Sequence, residues 1–302
     1  MANYFLQQII NALGYGGILG LLGIGYTIIY GVAGLINFAH GEIFMISAVI
    51  AYFVGYVYSQ HFLVTMVAAI TAGLACGLLL NEIIYQPCIK RHAPILAIFI
   101  ASFGASIFLR YLLMMILTDR RRPFPIPSFL EQVITAGTVA IPLKDLITLG
   151  VTILAATLTA YVVKFTRVGI ALRAVAYDRL TAQAMGVNIS SVVRFAFVLG
   201  SIAAGVAALA YGISFRVVHP TMGFVPGLYG FMAAVIGGIG NVWGAFVAGL
   251  LLGFAEIFIV GFFPPSLSPL RPFLVWTVLI IIMLLKPAGL FRPNIKFEEI
   301  RQ

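Results

Sequence analysis

The sequence predicts an all-α polytopic membrane protein, one transmembrane domain over residues 1–302 with about eight or nine spanning helices. Three observations carry that prediction. First, 62% of the residues are hydrophobic and only 9% are charged, with a mean hydropathy of +1.10. Soluble domains carry about 25% charged residues, so this chain cannot cover itself with a polar surface in water. Second, apolar runs of bilayer-crossing length recur from end to end. Third, the basic residues behind the net charge of +9 fall mainly in short loops between those runs. That is a topology signal rather than a nucleic-acid footprint.

The runs fall near 9–31, 42–58, 62–83, 95–117, 144–163, 191–213, 226–239, 244–262 and 272–286. Residues 1–13 contain no Lys or Arg, so the basic region of a secretory signal is missing and the first run is expected to remain as a span. The run at 226–239 is short and glycine-rich, which suits a half-span or re-entrant segment. It is the reason the count stays at eight or nine.

Orientation follows from loop charge. With the C-terminal tail in the cytoplasm, Lys90, Arg91, Lys164, Arg167, Arg173, Arg179, Arg194, Lys286, Arg292, Lys296 and Arg301 fall inside. Arg120, Arg121, Arg122, Lys144, Arg216 and Arg271 fall outside, and Arg110 lies within a span. The inward excess places the N-terminus outside, in the periplasm of a bacterial inner membrane. The longest outer loop, about 118–143, holds Pro123, Pro125, Pro127 and Pro142, which favour extended chain. It reads either as a docking surface or as a rigid connector.

Four polar islands interrupt the apolar chain. Residues 34–42 read GLINFAHGE and place Asn37, His40 and Glu42 between two runs. Ionisable groups at bilayer depth are costly and tend to face a cavity or a partner, so a broken helix lining a pathway is one reading. An ordinary cytoplasmic turn is the other. Residues 234–244 form a second island with Asn241. Aligning Asn37 with Asn241 also matches Gly34 with Gly238, which suggests an internal parallel repeat.

The third island, 164–190, is the longest cytoplasmic loop. Leu172, Val175, Ala176, Leu180 and Ala184 recur at helical steps, and Gly186 suits a left-handed C-terminal cap. A cytoplasmic helix over about 170–187 is expected. It would either grip a motor or rest on the lipid surface with Arg173 and Arg179 at phosphates. The fourth island is Glu256, near the middle of an apolar run. A structural residue bonded to neighbouring helices is favoured over a pathway carboxylate.

Several chemistries find no support in the sequence. There is no P-loop, no His/Glu zinc motif and no Gly-x-Ser-x-Gly elbow. Cys76 and Cys88 lack metal-ligand spacing, so neither a metal nor another cofactor is expected. No arginine ladder of a voltage sensor occurs. Transport driven by ATP would need the nucleotide bound on another subunit.

Three segments together resemble the permeases of bacterial ABC importers for branched-chain amino acids. They are GYTIIYGVAGLINFAHGEIFM at 25–45, RAVAYDRLTAQAMGVN at 173–188 and AVIGGIGNVWGAFVAG at 234–249. Their order and spacing are family-like, and the chain is most similar to the shorter of the two paired permeases. The resemblance implies a non-catalytic pore subunit beside a second, homologous permease. It also implies two cytoplasmic ATP-binding subunits docked around 170–187, at Arg173, Tyr177, Asp178, Arg179 and Gly186. A periplasmic substrate-binding protein would act at the outer face. Tyr177 departs from the family pattern, which often has an acidic residue there.

Asn37, His40, Glu42, Asn241 and Glu256 are the candidate pathway residues. Urea and short amides are alternative substrates within the family. A rival from another class is an ion-coupled secondary transporter using Glu42, Glu256 and His40. A membrane-embedded enzyme would need a clustered acid, base or metal site, and the sequence offers none.

Overall fold

A computed structural model describes residues 2–58, 61–91, 93–136, 139–262, 264 and 270–291. The tail residues Arg292, Lys296 and Arg301, used above to argue orientation, lie outside the described residues. The protein is a helical membrane bundle. The helices are α1 (Ala2–Ala33), α2 (His40–Val57), α3 (Phe62–Leu80), α4 (Gln86–Lys90), α5 (Ile95–Leu117) and α6 (Leu143–Phe165). They continue with α7 (Arg167–Tyr177), α8 (Arg179–Ala184), α9 (Ile189–Phe215), α10 (Phe224–Gly237), α11 (Val242–Phe262) and α12 (Arg271–Leu285). A π-helical turn, Asn81–Tyr85, joins α3 to α4.

Among the described residues, seven helical spans are long and apolar enough to cross a membrane, and two shorter apolar helices accompany them. These nine correspond in order to the nine runs read from the sequence. α10 has 14 residues, about 21 Å at 1.5 Å per residue, against a hydrocarbon core of about 30 Å. It is the short element that the sequence marked.

α1 is the central post. Ile18, Leu19, Leu21, Leu22 and Ile24 are wholly buried on it. It runs antiparallel to α11, with Gly16 and Gly20 set against Gly249 and Gly253 so closely that added Cβ atoms would strike backbone. Lipid tails supply no hydrophobic drive between helices, so close backbone approach at small residues is what holds such a pair. α5 and α6 instead expose apolar faces, such as Ile100 and Phe108 or Leu154 and Leu158.

At one end of the bundle, residues 118–136 and 139–142 fold back over the helices. β1 (Arg122–Pro123) pairs antiparallel with β4 (Val217–Val218), and β2 (Val133–Ala136) pairs with β3 (Val139–Pro142). Phe124, Ile126 and Leu130 are buried beneath this cover. This is the hairpin end, where α1 begins and α11 stops.

At the other end the expected single helix is two. The backbone at Asp178 is extended (φ −148°, ψ 108°) and separates α7 from α8. Asp178 accepts from the backbone N–H of Leu180 at 2.9 Å and of Thr181 at 3.1 Å, and from the Thr181 hydroxyl. It is the N-cap of α8. The break rotates the buried stripe. Leu172 and Val175 are buried as the periodicity requires, but Leu180 is 79% exposed and Ala182 is buried instead. Gly186 (φ +88°) closes α8, with Gly186 N–H on the Gln183 carbonyl and Val187 N–H on that of Ala182. That is a Schellman cap, which needs a left-handed residue and so a glycine.

The cap makes the loop pH-sensitive. Hydrogen bonds from the Thr181 side chain and from the Thr181 and Leu180 backbone hold the Asp178 carboxyl below the usual carboxylate range. A group whose folded pKa is lowered contributes fully above its unfolded pKa and loses that contribution as pH falls through the folded value. Limited proteolysis of 166–188 is therefore expected to accelerate on acidification through and below the carboxylate range. Between neutral and alkaline pH the rate is expected to stay flat.

Candidate functional site

The connections on either side of the bundle do not stay at its ends. α1 stops at Ala33, and Gly34 (φ +66°) turns the chain back. His40, the first residue of α2, packs edge-on against Tyr26 with ring centroids 4.7 Å apart. Its ring also fills the space beside Gly25. Gly25 lies eight residues before the end of α1, about 12 Å along the axis. Residues 34–39 therefore run back alongside α1, to about 12 Å from its end, as non-helical chain. The broken-helix reading of this island fits that geometry.

Non-helical backbone at that depth must find its partners inside the protein. The Ser102 hydroxyl donates to the Ile36 carbonyl at 3.3 Å. Asn37 Oδ1 accepts from Ala39 N–H at 3.0 Å and from the Tyr85 hydroxyl at 2.9 Å. Tyr85 stands on the π-helical turn, an irregularity that recurs at functional sites. The Phe38 ring lies 4.9 Å from that of Phe99 and 6.0 Å from that of Phe103.

A second broken segment enters from the hairpin end. After α9 and β4, residues 219–223 lead to α10, whose N-terminus meets that of α2. Gly223 and Gly227 lie against Gly41 with no room for a Cβ on any of the three. A Gly227→Ala side chain would sit 2.8 Å from the Gly41 Cα. Overpacking of this kind costs about 1–3 kcal/mol, so that variant is expected to lower the melting temperature in a detergent thermal-shift assay.

The charged pair of the site sits at this junction. Glu42 Oε1 accepts from Arg110 Nη2 at 2.6 Å, from Arg110 Nε at 3.2 Å and from the Ser106 hydroxyl at 3.0 Å. The Glu42 side chain is 1% exposed and that of Arg110 is 18% exposed. The Arg110 guanidinium also lies over the Phe224 ring, 4.4 Å from its centroid. Among the described residues, Asn37 Nδ2, both His40 ring nitrogens and Glu42 Oε2 are buried without a hydrogen-bond partner. A cavity of about 20 Å³ lies between Tyr26, Phe38, Glu42, Phe103, Gly227 and Phe231. That is room for about one water molecule.

Asn37, His40 and Glu42 thus come together, and the sequence missed their partners Arg110, Tyr85 and Ser106. Arg110 left a signal. It is a lone cation in an apolar run, and a buried carboxylate elsewhere is its natural partner. Asn241 lies at the same end of the bundle but does different work. It caps α11 through Gly244 N–H at 2.9 Å and donates to the Phe291 carbonyl at 3.2 Å. Gly238 (φ +94°) ends α10 as Gly34 ends α1, so the two islands share a local pattern of glycine break and following asparagine. Glu256 belongs elsewhere. It is six residues short of the end of α11 and lines a cavity at the hairpin end.

The loop helices sit beside a recess of about 920 Å³ whose walls include Gly34, Leu35, Ile98, Arg179, Leu180 and Asn188. Arg173 donates to the Val163 and Lys164 carbonyls at 2.8 and 2.7 Å, tying down the last turn of α6. Beside the exposed polar residues Arg173, Thr181 and Gln183, three large apolar side chains face outward: Tyr177 is 58% exposed, Leu180 79% and Met185 81%.

Residues 8–285 match the family described as "Branched-chain amino acid transport system / permease component". The chain is 32% identical to the high-affinity branched-chain amino acid transport system permease protein LivH of Escherichia coli (strain K12), covering 97% of each chain. It is 33% identical to the corresponding protein BraD of Pseudomonas aeruginosa, over 97% of this chain and 98% of BraD. A more distant relative is the probable branched-chain amino acid transport permease protein LivH of Methanocaldococcus jannaschii, at 24% identity over 93% and 90% of the two chains. No solved structure matches. A multi-pass helical bundle, matched along nearly its whole length, belongs to the family of permease components of branched-chain amino acid transport systems.

Proposed function

We propose that this chain forms half of the translocation pathway of an ATP-driven importer for branched-chain amino acids in a bacterial inner membrane. The whole chain acts as one permease domain. A second, homologous permease completes the pore, two ATP-binding subunits dock on the loop helices, and a periplasmic binding protein delivers substrate at the hairpin end. In this reading the N-terminus is periplasmic and the C-terminus cytoplasmic. The observation that carries it is the pair α7–α8. Two short helices, capped at both their starts and pinned to α6, expose Tyr177, Leu180 and Met185. Exposed apolar clusters on stiff elements suit protein contacts.

The path runs through the α2–α10 junction, near Asn37, His40 and Glu42. Alternating access then means parting two helix N-termini that now enclose space for about one water. The ion-coupled alternative asks Glu42 to bind a cation. Its Oε1 is already neutralised by Arg110, which weighs against that role.

Affinity purification of the tagged chain from its native membrane tests the assembly. Two ATPases and a second permease are expected to co-purify. Uptake by this chain alone in vesicles, abolished by an uncoupler and indifferent to ATP, would overturn it.

A further inference from the structure

We propose that the hairpin-end cavity is a recognition site for zwitterionic α-amino acids, with the substrate carboxylate at Arg121 and its ammonium at Glu256. This rests on the reading of the chain as an amino acid permease and names a site for its substrate. The cavity measures about 370 Å³, within the range of small-molecule pockets. Its polar lining comprises Arg121, His219, Thr221, Tyr15, Tyr211 and Glu256. Its apolar wall includes Phe215, Met222, Val225, Pro226 and Ile257. A cation and an anion on different elements, in a cavity that also has an apolar wall, match the three parts of a leucine-like ligand.

Each charge is placed for its task. Arg121 is exposed, on the loop that follows α5, where it meets a carboxylate arriving from solvent. Glu256 is 4% exposed and stands about 9 Å inside the end of α11, so an ammonium would reach it only by entering the cavity. His219 is held by Thr221, with Nδ1 2.9 Å from the hydroxyl. Burial, and secondly the Arg121 charge, pull its pKa below the ordinary imidazole value. Arg121 is the guanidinium of the cavity. Urea or a neutral amide satisfies neither charge. A simple carboxylate satisfies Arg121 and meets Glu256 as a like charge.

The cavity also leads somewhere. Met222, Val225 and Pro226 line it, while Gly223, Phe224 and Gly227 line the junction cavity beside Glu42. One segment, 222–227, is the partition between the two. Movement of the α10 N-terminus would join them.

The assembled transporter in proteoliposomes provides the test, with the binding protein outside, ATP inside and radiolabelled leucine as substrate. Arg121→Gln and Glu256→Gln are each expected to cut leucine uptake about tenfold or more, as loss of one partner of a charge-assisted contact does. The substrate preference should also shift. Uptake of 4-methylpentanoate, which lacks the ammonium, should rise relative to leucine in Glu256→Gln. Uptake of leucinamide, which lacks the carboxylate, should rise relative to leucine in Arg121→Gln. Because the binding protein is the same throughout, such changes belong to the permease. Glu256→Gln is checked for membrane insertion, and Arg121→Gln, at an exposed loop position, keeps the test decisive if it fails. Wild-type leucine uptake with no change in either ratio in Arg121→Gln overturns the site alone. Wild-type transporter that carries neutral amides and no leucine overturns the proposed function instead.

Discussion

Replacing Arg110 with leucine is expected to cost the folded permease about 3–5 kcal/mol, because it strands a buried carboxylate. Glu42 is 1% exposed, and its carboxylate is held by two side chains, Arg110 and Ser106. Removing the guanidinium leaves a charge with room for about one water beside it, at a helix N-terminus packed backbone-to-backbone against α10. The measurement is a thermal-shift series in detergent, with yield from the membrane as a second readout. The double variant Glu42→Gln with Arg110→Leu is expected to recover most of the loss, since replacing both members of a buried pair is often close to neutral. If the single variant melts with the wild type, the pair does not hold the junction. Recovery of stability in the double variant without recovery of leucine uptake would assign the charges to transport as well as to folding.

The second large effect is expected at the loop helices. Leu180→Asp combined with Met185→Asp should reduce ATP-dependent uptake by well over tenfold, because charges in the apolar centre of a docking face weaken hot-spot contacts by about 2 kcal/mol or more each. Both side chains are largely exposed in the chain itself, so the isolated permease should keep its melting temperature. Co-purification of the ATPases should fall in step with uptake. The contrast is Arg173→Ala, which removes the side chain that holds the last carbonyls of α6 and should loosen the loop before it weakens any docking. Full uptake in the double aspartate variant would move the docking face away from α7–α8.

The bilayer makes parts of this protein unusually legible. A 20-residue apolar run has few alternatives to a helix, so the spans, their order and the short α10 are readable from hydropathy. The islands were readable for the same reason, since polar groups are rare in such a background. Partnership was not. Glu42 and Arg110 are 68 positions apart, and only the return of residues 34–39 alongside α1 brings them together. The loop helix failed at one residue. Periodicity from Leu172 to Ala184 runs through Asp178 without a break, and only the cap at Leu180 and Thr181 shows that the helix restarts there. Arg173 and Asp178 also make bonds within the loop that periodicity does not show. Glu256 read as mid-span because hydropathy locates a residue along a helix but does not show what opens beside it.

The narrow space at the α2–α10 junction has one more consequence, for the membrane rather than for the substrate. A cell keeps its ion gradients only if idle carriers insulate. A gap for about one water, beside a carboxylate already neutralised by a guanidinium, offers a passing cation no uncompensated charge and an anion no free one. The same two side chains that brace the fold would then serve as the seal. A carrier whose seal is an ion pair should betray its loss electrically, as a leak conductance in Arg110→Leu vesicles before any amino acid is added.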